Sequence, residues 1–237
     1  MPNPQIDLNQ STFDEAIAYF RQKTAIPTQK WDDLQDEEHD WAFTIAKLTK
    51  ANLLQDAQEL IEKAIQEGKS SDEFKDEFKK KIESKGWVAQ PLPAGPDDYR
   101  YRIIFETNVR RAHAAGRFEQ QKQSAKSRPY LMWRHGDSES PRLNHKELDG
   151  KVFPIDSVFW DKAYPPCGYG CKCTAISLSD RDLERLGKKV EVPPDPDTIA
   201  EKGFKHSAGT SQASQKKDIL NKAKARLSPN LYNKVAQ

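Results

Sequence analysis

All three cysteines of this 237-residue chain fall inside one seven-residue stretch, "CGYGCKC", as Cys167, Cys171 and Cys173. Gly168 and Gly170 let such a loop turn back on itself, so that thiolates converge as a tetrahedral zinc ion requires. A fourth donor is available upstream from His135 or His145, and His145, just ahead of an "LDG" turn, is the better placed. The expected set is therefore His145, Cys167, Cys171 and Cys173 around a structural zinc ion. The spacing is not the doubled C-x-x-C form, so two other readings stay open. The thiols could be small buried residues without chemistry, or one could be a thiolate made reactive by basic surroundings, although no orienting base is evident.

Other chemistry is thinner. Asp137, Glu139, Asp149, Asp156 and Asp161 stand near those two histidines, a composition that would suit a metal-dependent nuclease. Their spacing fits no motif, and Asp149 before Gly150 reads more simply as a turn residue. There is no phosphate-binding Gly-rich loop, no H-E-x-x-H and no G-x-S-x-G. His39, His113 and His206 stand alone in the sequence and receive no role.

The elements that must hold the cysteine loop are mostly helical. "STFDEAIAYFRQK" offers a cap at Ser11 or Thr12 and places Phe13, Ile17 and Phe20 on one face. Residues 36–67 read as one long helix, with Leu53, Ala57, Leu60, Ile61, Ala64 and Ile65 on a stripe and Gly68 as its C-cap. "SSDE" has the form of a capping box, Ser70 facing Glu73, ahead of Phe74, Phe78 and Ile82, with Gly86 as the stop. These stripes are packing faces. The Pro-rich run 91–98 breaks the chain. A long helix over 98–128 follows, with Tyr101, Phe105, Val109 and Ala112 inward. Its cations Arg110, Arg111, Arg117, Lys122, Lys126 and Arg128 are expected mostly outward, as a surface for phosphates or for an acidic partner. From Pro129 the chain is short-segmented, turn-rich and aromatic, with "LDGKVF" and "CTAISLS" as short strands. Beyond Arg185 it reads as loop until a helical stretch at 216–227.

The fold class is thus α+β, mainly α: an N-terminal helical module (1–90), a core of long central helix and small strand-containing cysteine subdomain (99–187), and a partly loop-like extension (188–237). With 36% hydrophobic and 31% charged residues and no long apolar run, membrane spans and a secretory leader are not expected. A cytoplasmic, reducing origin and an odd cysteine count weigh against a disulfide framework. The net charge of +2 hides an asymmetry. Residues 1–100 carry 20 Asp and Glu against 13 Lys and Arg (−7), and residues 101–237 carry 16 against 25 (+9). Without aromatics interleaved among the helical cations, any contact with DNA is expected to be non-specific.

From Trp133 to Cys173 the run of Gly-Asp, Leu-Asp-Gly-Lys-Val-Phe, Asp-Ser, Phe-Trp, Pro-Pro and Gly-Tyr-Gly-Cys-Lys-Cys resembles the signature of the phage Mu F-like head morphogenesis, or minor head, proteins. Upstream, "WDDLQDEEHDWAFTIAK" and the helices over 53–87 are similar to the same family. So is "ETNVRRAHAAGRFEQ", with Thr107-Asn108 and Ala115-Gly116. The resemblance covers about residues 10 to 185. It implies a virion protein of a tailed phage or prophage head, present in few copies and made in the host cytoplasm. Such a protein acts with portal, major capsid and scaffold proteins in procapsid assembly, and some relatives associate with DNA. The chain departs from the pattern where many relatives carry a Cys-x-x-Cys pair before the Leu-Asp-Gly turn. Arg142 and His145 stand there instead, so a metal would need a rearranged ligand set. The alternative is an enzyme, nuclease-like or NAD-using, working from the His/Asp/Cys core.

Overall fold

The computed structural model describes residues 13–87, 98–136, 138 and 140–227. Helix α1 (Asp14–Arg21) buries Ile17 and Phe20 as the spacing requires, while the expected cap at Ser11 or Thr12 lies outside the described residues. The expected helix over 36–67 is instead three pieces: α2 (Glu38–Trp41), β2 (Ala42–Phe43) and, after a loop, α3 (Ala51–Glu67). Trp41, Ala42, Phe43 and Ile45 are all buried. A run of consecutive apolar residues buried on every side suits an extended segment better than a one-faced helix. Here β2 pairs in parallel with β1 (Thr24–Ala25).

Gly68 takes the left-handed conformation (φ 64°) and ends α3. Helix α4 (Ser71–Lys81) begins on the expected reciprocal Ser70–Glu73 box. Helix α5 spans Tyr99–Gln123 and stops five residues short of the expected Arg128. The hydroxyls of Ser124 and Ser127 donate to the carbonyls of Gln121 and Ser124, competing with the helical ladder just ahead of Pro129.

Three antiparallel strands follow in the order β4-β3-β5: β3 (Tyr130–Arg134) at the centre, β4 (Val152–Pro154) after the Leu-Asp-Gly turn, and β5 (Thr174–Leu178) after the cysteines. The outer edge of β5 is covered. The Gln121 side-chain amide and the Arg128 guanidinium donate to the Ala175 and Ser177 carbonyls there. Short helices α6 (Leu143–Lys146) and α7 (Phe159–Ala163) flank the sheet. Helix α8 (Asp180–Leu186), absent from the sequence reading, starts on a second capping box, Ser179 with Asp182. Helix α9 (Lys216–Arg226) falls where expected.

Side chains of α1, α3, α4 and the first half of α5 form one core. Ala114 and Phe118 of α5 enter a second, with Leu131, Trp133, Phe153, Trp160, the three cysteines and Ile199. One long helix therefore serves both cores. Helix α9 closes a third against Ile26, Leu34 and Trp41. No helix among the described residues is long and apolar enough to cross a membrane.

Candidate metal centre

The central strand β3, the turn before β4 and the loop before β5 set the cysteine loop against α6. His145 is 2% exposed, and Cys171 and Cys173 are buried with it. The imidazole Nδ1 lies 3.7 Å from Cys171 Sγ and 3.8 Å from Cys173 Sγ, and all three ligating atoms lie within 4.8 Å of one another. Zinc bonds of about 2.3 Å to sulfur and about 2.0–2.1 Å to nitrogen give a tetrahedral N···S edge of about 3.6 Å. The observed spacings match that edge, and two thiols with an imidazole are the donor chemistry that zinc favours.

His145 is also oriented for ligation. Its Nε2 lies 3.1 Å from the Ile199 carbonyl, an acceptor only, so this nitrogen carries the proton and donates. That hydrogen bond leaves Nδ1 facing the sulfurs, the arrangement in which metal-binding histidines are commonly held. Trp133 packs edge-on against the ring at 5.7 Å.

The two thiols share their protons unequally. The hydrogen bond with Cys173, followed by those from His145 and the backbone N–H groups of Cys167 and Cys173, holds the Cys171 thiol well below its ordinary range against the opposing effect of burial. Cys173 is pushed up by the same hydrogen bond with Cys171 and then by burial. Burial lowers His145, but the Cys171 contact outweighs it and the net shift is upward. Cys167, expected as a ligand, is fully buried and its sulfur does not join the group; burial pushes its thiol well up. Its contribution to the centre is the backbone N–H aimed at Cys171.

His135, the other candidate donor, donates its backbone N–H to Asp149 and stands outside the group. Asp137 and Glu139 lie outside the described residues. Among the described residues His145, Cys171 and Cys173 form the single group of three or more such donors close enough to share an ion. His206, Ser211 and Asp40 have the residue types of a hydrolytic triad, yet Ser211 Oγ (2.8 Å) and Asp40 Oδ2 (3.2 Å) both meet the same Nε2. A relay needs the acid and the nucleophile on opposite ring nitrogens.

The six α5-region cations are dispersed. Arg111 is buried, a correction to its expected outward placement: it pairs with buried Asp40 at 3.8 Å and donates to the His206 carbonyl. Arg110 pairs with Glu106 and reaches the Cys171 carbonyl, Lys122 pairs with Glu119, and Arg128 pairs with Asp182. Arg117 and Lys126 are exposed and make no ion pair among the described residues.

The fold and the centre together define a mainly helical α+β protein organised around a buried His-Cys-Cys group. The chain belongs to the Phage Mu protein F like family, whose model matches residues 55–176. It is 30% identical over 203 residues to the "Putative capsid assembly protein F" of Escherichia phage Mu, covering 80% of this chain and 46% of that protein. It is also 30% identical over 169 residues to the "Mu-like prophage FluMu F protein" of Haemophilus influenzae, covering 69% of this chain and 41% of that one. The chain thus spans less than half the length of either relative. No solved structure matches it.

Proposed function

We propose that this chain is a minor head protein of a tailed phage or prophage, acting in procapsid and head assembly with portal, major capsid and scaffold proteins before taking its place in the virion. Its membership of the family, with a relative named for capsid assembly, is the observation that carries this reading. The centre at His145, Cys171 and Cys173 supplies three of the ligands of a structural zinc ion that staples the loop-rich cysteine subdomain. Contact with packaged DNA is non-specific and falls to Arg117 and Lys126, because the other α5-region cations are already engaged.

The test compares procapsids and filled heads from a phage carrying the gene and from its deletion by quantitative mass spectrometry. Low-copy presence in procapsids, with defective heads on deletion, is the expected result. Normal, infectious heads in its absence would remove the assembly role. Metal analysis of chain purified without chelator should return one zinc per molecule, and none in Cys171→Ser.

A further inference from the structure

The segment from Pro196 to Ser211 is a strap with two ends. At its start Thr198, Ile199, Glu201 and Phe204 touch the metal-centre elements. The Thr198 carbonyl accepts from Asn144 Nδ2 at 2.8 Å, and the Ile199 carbonyl accepts from the ligand His145 at 3.1 Å. Glu201 N–H donates to the Cys167 carbonyl at 3.0 Å, and the Glu201 carboxylate takes both Nε (2.6 Å) and Nη2 (3.1 Å) of Arg142. Gly168 lies so close to Glu201 that a Cβ there would overlap the carboxylate. Phe204 packs edge-on against Tyr169 of the cysteine loop at 5.0 Å.

At its far end the strap is tied to the helical module. Lys205 N–H donates to Asp36 at 2.9 Å, while Gly209 N–H and Ser211 N–H donate to buried Asp40 at 3.2 and 3.1 Å. Between the ends, Ser207 N–H meets the Asp161 carbonyl of α7. Residues of the strap therefore bridge the metal centre and the N-terminal helices while having little regular structure of their own. Irregular segments of this kind are held by tertiary contacts and open first when those are lost.

We propose that metal occupancy at His145, Cys171 and Cys173 latches the strap, so that the centre governs a second link between cysteine subdomain and helical module, added to the one that α5 makes. This rests on the zinc reading above. The physical link is shared contacts: an ion fixes α6 and the cysteine loop, and those two elements present the Asn144, His145, Cys167 and Arg142 groups on which the strap docks. A ligand that binds the docked state better shifts the population toward it, and the coupling is reciprocal, so loosening the strap must weaken zinc binding by the same factor.

The experiment is hydrogen exchange on the full chain, stripped by chelator and then reloaded with zinc, with zinc stoichiometry measured on the same samples. Zinc should slow exchange about tenfold or more at the amides of Glu201, Lys205, Ser207, Gly209 and Ser211, and leave those of α3 unchanged. One bound zinc with slowing confined to 143–146 and 167–173 would overturn the latch and leave the zinc reading standing. Absence of bound zinc would remove both. Phe204→Ala gives an independent check, since it changes no charge and touches no ligand. It should speed exchange in the strap and lower zinc affinity several-fold in a chelator competition; faster exchange with unchanged affinity would refute the coupling.

Discussion

Asp40 gives the sharpest stability prediction. Its carboxylate accepts the Tyr19 hydroxyl at 2.9 Å, Gly209 N–H at 3.2 Å, Ser211 N–H at 3.1 Å and His206 Nε2 at 3.2 Å, with Arg111 at 3.8 Å. It thereby joins α1, α2, α5 and the strap at a point that water does not reach, its own side chain being 2% exposed. Asp40→Asn keeps the shape and one acceptor but removes the charge that offsets Arg111 and Lys23, and sets amide hydrogens against one of its two donor pairs, Tyr19 with Gly209 or Ser211 with His206. Removing one member of such a buried set costs about 3–5 kcal/mol, and the retained acceptor points to about 3. For a chain of this size that is a fall in Tm of about 10 °C.

The loss should also depend on pH. Burial raises the Asp40 carboxyl, but the His206 hydrogen bond, Lys23 and Arg111 together hold it well below the usual range. A depressed carboxyl contributes stability above its unfolded pKa of about 3.9 and loses it as pH falls through the folded value. Urea titrations should therefore give a difference between wild type and Asp40→Asn that narrows below about pH 4. A loss under about 1 kcal/mol at pH 7, or a difference that stays unchanged at pH 3, would refute the reasoning.

Burial holds Lys23 down to about 7, against the upward pull of Asp40. From there toward pH 9.5 the unfolded chain keeps a proton that the folded one releases, so this site adds stability as pH rises, by up to about 1.4 kcal/mol per unit. Lys23→Met should remove that slope in urea titrations; an unchanged slope would place its origin elsewhere. At Gly116 an added Cβ would sit 2.7 Å from the Ala16 backbone nitrogen and 3.0 Å from Phe13. Gly116→Ala should destabilise by about 1 kcal/mol net, the overpacking cost of about 1–3 exceeding the helical gain of about 1. A more stable variant would mean that α1 does not lie against α5 this closely. In DNA binding followed across salt, two free cations predict a log–log slope near −2, against about −5 if all six engaged phosphates. Arg117→Ala with Lys126→Ala should flatten it, and a slope surviving that pair would move the contact to another surface.

Where a signal repeats within one or two turns, the sequence was readable. The stripe from Leu53 to Ile65, its Gly68 stop, the Ser70–Glu73 box, the Leu-Asp-Gly turn and α9 all lie where the residues place them. Helix α8 was equally legible in principle, since Ser179, Asp182 and Gly187 repeat the same cap and stop. Strand β3 is legible only in part: "YLMWR" after Pro129 carries the apolar and aromatic residues of a strand without alternating, and it forms the centre of the sheet. The segment 36–50 misled because its apolar residues are consecutive, and burial on all sides erases the period that distinguishes a helix.

By itself the sequence determined a mainly helical chain, a resemblance to one family, and a cysteine loop with a histidine worth testing beside it. Only the tertiary structure decided that His145 meets Cys171 and Cys173 while Cys167 turns its N–H, and not its sulfur, toward the centre. It likewise buried Arg111 against Asp40 and set the Ile199 carbonyl behind His145, partners 71 and 54 residues apart. Caps, stripes and turns are written locally because their physics acts within a few residues. Ligand convergence and buried charge pairs depend on which distant surfaces pack together, and no local pattern of residues encodes that.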